Sequence, residues 1–260
     1  MNRVTIVLAL LVLAMAGFIV TQARRVPPRP APVVASTPDT TPADTVAPPG
    51  ALDAGLVVVT QSSLPAPVRD LAEIQRRLTG GESGTYIREI LLQRDDNIAR
   101  WPDRQLVPLR VWIQPTSALA DFHAVYPARA REAFERWTHA GVPVFFTFVL
   151  DSARADIPVT WVDRFEMPIT GRTRWTRDQH WWIVGSSIEV ALHHQSGAAL
   201  DAEAVHAITL HEVGHVLGLD HTMDERSIMA ARVRVSQLSD VDERTAQLVY
   251  SLPPGSVVKP

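Results

Sequence analysis

The stretch Ile208–His221, ITLHEVGHVLGLDH, constrains this chain more than any other. It sets three imidazoles and one carboxylate at spacings that a helix followed by a tight turn brings to one point. On an α-helix at 3.6 residues per turn, His211 and His215 stand one above the other, so both rings can reach a single ion at about 2.0–2.1 Å. Glu212 is rotated off that axis, and its carboxylate reaches instead toward a water at the ion. His221 lies six residues beyond His215, where a continuing helix would carry it roughly 9 Å along the axis. Gly218 removes the difficulty, because glycine takes the left-handed conformation that ends a helix and turns the chain back. Leu210, Val213 and Leu217 point elsewhere and anchor the helix in a core. Three neutral imidazoles leave a fourth zinc position open, as in catalytic rather than closed structural sites.

The chain has nine histidines, and a lone HExxH among them would be a weak signal. The full His211-Glu212-x-x-His215-x-x-Gly218-x-x-His221 pattern is far more specific, and it resembles the extended signature of the metzincin clan of zinc endopeptidases. Downstream, Ser227-Ile228-Met229-Ala230 looks like the methionine turn of that clan, with Met229 beneath the metal. The order of elements over residues 104–252 is similar to the matrixin-like branch. This resemblance implies an α+β fold, in which a mixed twisted sheet with a backing helix, an active-site helix and a C-terminal helix surround a zinc cleft. It also implies one catalytic Zn2+, a protein or peptide substrate, and an edge strand that pairs with extended substrate through its backbone. By element order, Arg172–Arg177 is the candidate for that strand. An exposed basic strand whose arginines guard it against aggregation fits the same residues equally well.

Two departures from the family pattern bear on specificity. Ala231 stands where some metzincins place a tyrosine ligand and where matrixins often have proline, so no tyrosine ligand is expected and one wall of the specificity pocket is left open. Arg232 and Arg234 either line that wall or, as the more common case, belong to solvated surface. The chain has no cysteine, which excludes disulfides and a thiolate cap on the metal. Asp95, Asp96 and Asp103 read as solvated loop carboxylates rather than as replacements for that cap. The remaining histidines lack the spaced His and Asp set of a second zinc site, so none is assigned a metal. No loop of dense carboxylates argues for calcium, which has no positive support.

The rest of the chain divides by composition. Behind Arg3, the uncharged apolar run Val4–Val20 reads as a signal peptide with a small-residue site at Ala14-Met15-Ala16, or as an N-terminal membrane anchor. Residues 1–23 are assigned to that segment and residues 24–64 to a proline-rich, disordered linker. An extracytoplasmic location follows, either secreted or periplasmic, or held at the membrane by the uncleaved segment. Residues 65–103 form a flanking segment, 104–252 the catalytic domain and 253–260 a tail. With 46% hydrophobic residues, 20% charged residues and a net charge of −3, the chain can bury one sizeable domain and shows no basic bias toward nucleic acid. The sequence sets no oligomeric state.

Within these bounds, Leu71, Ile74 and Leu78 predict a helix ended by Gly80-Gly81, and Tyr86–Leu92 a strand or short helix. Leu109, Val111 and Ile113 predict a half-buried strand. A helix carries Phe122, Ala130, Ala133, Phe134 and Trp137, with Pro127 kinking or restarting it. Val144–Leu150 is expected to be a strand buried on both faces. A further strand spans Ile157–Trp161, and a hairpin turns at Asp178-Gln179-His180, with Gly185 marking a bulge. Asp201 caps the metal-bearing helix, and Ser239–Asp242 opens the last one with a capping box. The function expected is an exported zinc endopeptidase with Glu212 as general base. A catalytically silent metal-stabilised binding domain and a zinc hydrolase of non-peptide amides are the alternatives.

Overall fold

The computed structural model describes residues 58–61 and 64–258. The run Val4–Val20 and most of the proline-rich segment lie outside them. Among the described residues no helix is long and apolar enough to cross a membrane.

The architecture is α+β. Eight strands are β1 (Val58–Thr60), β2 (Asn97–Ile98), β3 (Arg104–Ile113), β4 (Val144–Phe148), β5 (Ile157–Val162), β6 (Gly171–Asp178), β7 (Ile183–Ala191) and β8 (Gly255–Ser256). Five helices are α1 (Leu71–Gly81), α2 (Ile87–Gln93), α3 (Tyr126–Thr138), α4 (Ala202–Val216) and α5 (Asp240–Ser251). The main sheet has the order β1-β6-β7-β5-β3-β4 and is mixed: β6 runs antiparallel to β7, and the other pairings are parallel. Where the β6–β7 register slips, Thr176 faces Gly185 and Arg177 faces Ile183, which places the bulge beside Gly185 as its sequence position suggests.

Helix α3 backs the sheet. Phe134 meets Phe146 edge-on at 5.0 Å, and Ala130, Ala133 and Trp137 on the same face are fully buried. The Trp137 indole donates to the Leu210 carbonyl at 2.8 Å, tying α3 to α4. Nearly every residue of α4 from Val205 to Val216 is buried, the mark of a helix sandwiched between layers rather than laid on a surface. Its start is capped as expected: Asp201 Oδ1 accepts from the Ala204 N–H at 2.8 Å. The capping box at Ser239 and Asp242 is present at the start of α5.

Several expectations need correction. Val144–Phe148 is an edge strand and not one buried on both faces; its residues alternate inward and outward, Phe145 is 36% exposed and Leu150 fully so. The reason is that, among the described residues, only one face of this end of the sheet is covered by a helix, a fact of topology that an apolar run cannot reveal. Phe122 precedes α3, and Pro127 stands in its first turn rather than kinking it. The segment expected to be disordered linker as far as residue 64 ends in β1, which pairs in parallel with the outer edge of β6 at Thr176–Asp178. The expected tail at 253–260 is also part of the fold, since Gly255–Ser256 pairs with Asn97–Ile98. Nor is residue 104 a domain boundary: Ile74, Ile87, Ile90, Ile98 and Trp101 belong to the same buried core as the sheet and α4.

Candidate metal centre

The end of α4 is a Schellman turn. Leu219 N–H donates to the Gly214 carbonyl at 3.0 Å and Gly218 N–H to that of His215 at 2.9 Å. Gly218 has φ +91°, and a Cβ there would lie 2.2 Å from the Ala99 carbonyl oxygen, so both conformation and space demand glycine. The reversal returns the chain so that the Nε2 atoms of His211, His215 and His221 converge at mutual distances of 3.0, 3.2 and 3.2 Å.

Those distances suit a shared ion. In a tetrahedral shell with Zn–N bonds of about 2.0–2.1 Å, nitrogens stand about 3.3–3.4 Å apart. The opposite ring nitrogens fix the tautomer: His211 Nδ1 donates to the Ile228 carbonyl at 2.7 Å and His215 Nδ1 to the Leu219 carbonyl at 2.9 Å. A ring protonated at Nδ1 presents its Nε2 lone pair, so the facing nitrogens are acceptors turned toward one another, an arrangement that a cation satisfies. Burial first, then the neighbouring His221, lowers the His211 pKa to about 3. Burial, followed by His211 and His221, holds His215 well below the ordinary imidazole range. Both rings are therefore neutral at physiological pH, and protons do not compete for the lone pairs. Among the described residues, these three histidines are the group of His, Asp and Glu side chains close enough to hold a metal.

Glu212 is buried beside this cluster. The Thr173 hydroxyl, reaching down from β6, lies 2.6 Å from Glu212 Oε2 and 3.0 Å from its carbonyl oxygen. A Cβ on Gly171 would stand 2.3 Å from Glu212 Oε1, so the carboxylate occupies space that only a glycine leaves. Sequence reading missed both residues. The one available signal was alternation along β6, where Gly171, Thr173 and Trp175 face inward while the arginines between them do not.

Met229 is fully buried below the histidines, and a Cβ on Gly214 would meet its sulfur at 2.3 Å. Its turn is held by Asp242, a fully buried carboxylate on α5 that accepts from the Ser227 hydroxyl, from the Ile228 N–H at 3.2 Å and from the Ser239 N–H at 2.8 Å. In the sequence, Asp242 was legible as a helix cap. Its link to the methionine turn required the fold.

A cleft of about 610 Å³ opens beside Glu212 and His211. Ile169 and Gly171 line it from above, Leu200, Ala207 and Ile208 from below, and Ala231 and Arg232 from the far side. Arg232 is thus exposed and part of the cleft, so of its two readings the pocket-lining one holds. Arg234 instead pairs with Glu225 at 3.1 Å. Asp95 and Asp96 occupy left-handed turn positions, and Asp103 accepts from the Gln105 N–H at 2.9 Å. His193 is buried between Asp121 and Asp163, each 2.9 Å from one of its ring nitrogens.

Compared with the models of known protein families, residues 116–251 match the family described as matrixin. Among curated proteins, no match is found.

Proposed function

We propose, from the premise that this chain belongs to the matrixin family of zinc-dependent peptidases, that it cleaves extended protein substrates outside the cytoplasm with Glu212 as general base. The observation that carries the reading is the convergence of three Nε2 atoms within 3.2 Å of one another beside the buried Glu212 carboxylate.

His211, His215 and His221 would hold the zinc, which supplies Lewis acidity toward the scissile carbonyl and a water of lowered pKa. Glu212 takes a proton from the attacking water and passes it to the departing amine nitrogen. Thr173 holds one carboxylate oxygen, so the side chain keeps its aim while the proton is transferred. Gly171 leaves the other oxygen room beside the strand.

Substrate is placed along β6. Among the described residues, no strand pairs with the outer edge of β6 between Gly171 and Trp175, and that edge leads past Glu212. An extended peptide adds to such an edge by backbone hydrogen bonds. One of its side chains then enters the cleft bounded by Leu200, Ile208 and Ala231. The apolar run Val4–Val20 supports export, with the enzyme either released or tethered to the membrane.

The test is metal removal and return. The purified chain is expected to hold one zinc and to cleave an unfolded protein. A chelator should abolish cleavage and stoichiometric zinc should restore it. Cleavage of cell-wall fragments with no action on unfolded protein would instead favour the non-peptide amide reading. Zinc binding without hydrolysis of either substrate would favour the binding domain.

A further inference from the structure

The matched family region begins at residue 116, yet the loop that delivers the third ligand is gripped by residues well ahead of it. Arg94, 9% exposed, is the centre of that grip. Its Nη1 donates to the Gly218 carbonyl at 2.9 Å, and its Nη2 to the Leu219 carbonyl at 3.4 Å and to Asp220 Oδ1 at 2.8 Å; its Nε lies 2.6 Å from Asp220 Oδ2. The Leu219 carbonyl is the same atom that accepts from His215 Nδ1. Gln93 Nε2 donates to the carbonyl of His221 itself at 2.8 Å. Glu89 accepts from the Thr222 hydroxyl at 3.0 Å and from the Met223 N–H at 2.7 Å. Together these side chains of α2 and its C-terminal end take hold of every residue from Gly218 to Met223.

Two further contacts join this brace to the rest of the site. The Arg94 guanidinium lies 5.1 Å from the centre of the Trp175 ring on β6, so one side chain touches both the ligand loop and the strand above the cleft. Downstream, the Trp101 indole donates to the Val216 carbonyl in the last turn of α4 at 2.9 Å.

We infer that Arg94, with Glu89 and Gln93, positions the third metal ligand, so that the segment around residues 86–101 is part of the catalytic unit and not an appendage to it. The loop needs a constraint that its own backbone does not supply. Beyond Gly218 the backbone has left the helix, and the loop carrying His221 has lost the helical hydrogen bonds that hold His211 and His215. A planar guanidinium with donors in a fixed fork can hold two carbonyls and a carboxylate at once, which a lysine ammonium cannot reproduce in that geometry. Partners outside the ligand shell that orient ligands typically change metal affinity by about 10–100-fold.

This inference rests on the zinc-site reading above, and the experiment separates the two. Zinc affinity of the full chain is measured by competition with a chelating dye, alongside far-UV circular dichroism and the visible spectrum of the cobalt(II)-substituted protein. Arg94→Met is expected to weaken zinc binding by about tenfold or more and to alter the cobalt bands, with Arg94→Lys recovering part of the loss. Glu89→Gln, which keeps one acceptor, is expected to show a smaller loss in the same direction and serves if Arg94→Met does not fold. Phe134→Leu, a core change between α3 and the sheet, should lower thermal stability while leaving zinc affinity and the cobalt spectrum unchanged. Wild-type zinc affinity in folded Arg94→Met and Glu89→Gln would overturn the inference, as would an equal loss in Phe134→Leu. Failure of the wild-type chain itself to bind zinc would overturn the metal-site reading.

Discussion

Below the cleft, two of the three imidazoles are visibly oriented by backbone carbonyls, the turn under them is tied to a buried aspartate, and the loop bearing the third is gripped from six successive positions. Above it, β6 is held on one side by β7, while its other side is covered by the short strand β1 alone among the described residues. The difference fits what each side does in the proposed function. A metal site needs its ligands held to within about 0.5 Å, and redundant contacts of this kind supply that precision. An edge that receives a substrate backbone must leave donors and acceptors unspent.

The contrast can be broken from below first. Gly218→Ala places a side chain at φ +91° and 2.2 Å from the Ala99 carbonyl oxygen. The expected cost is at least about 2 kcal/mol in chemical denaturation, accompanied by weaker zinc binding. Full stability in that variant would show that the loop is free to shift away from the Ala99 carbonyl.

Thr173→Val acts at the point where the two sides meet. It removes the hydroxyl 2.6 Å from Glu212 Oε2 without changing the size of the side chain. A fall in kcat of about tenfold, equivalent to one hydrogen bond of about 1.5 kcal/mol to a charged group, is expected with zinc content unchanged. An unaltered kcat would mean that Glu212 is aimed by other contacts.

The upper side is addressed by removing residues through Thr60, which uncovers Thr176–Asp178 on β6. Steady-state kinetics on nested peptides should then show a few-fold lower KM for those long enough to reach Thr176 and no change for shorter ones. Equal effects on both would detach β1 from any part in substrate access.

The smallest effect concerns His193, away from the metal. Its hydrogen bond to Asp121 raises its pKa, assisted by the backbone and charge of Asp163, with Arg164 paired to that same Asp163; burial opposes the shift. Because the folded value lies above the unfolded one, the contribution to stability is complete below about pH 6.5 and is lost as pH rises through the folded value. The melting temperatures of the wild type and His193→Gln should therefore differ more at about pH 5.5 than at about pH 8.5. A gap independent of pH would contradict this account.

Legibility divided along the same line. The convergence of the three histidines, the helix cap at Asp201, the glycine turn and the burial of Met229 could be read because each depends on residues close together in the chain. Thr173, Gly171, Asp242 and Arg94 reach the site across long stretches of sequence, and their roles exist only once β6, α5 and α2 are placed around α4. The misreading of Val144–Leu150 has the same origin, since an apolar run reports hydrophobicity and not which faces neighbouring elements cover. Segment 65–103 appeared peripheral because its helix patterns are short; its buried Ile74, Ile90 and Trp101 show otherwise.

The role of Glu212 is tested most directly by turnover of an unfolded protein by Glu212→Gln, with zinc measured in the same sample. One zinc per chain is expected, as in the wild type, with cleavage reduced on the order of 10²–10⁴-fold. Wild-type turnover at full zinc occupancy would contradict it.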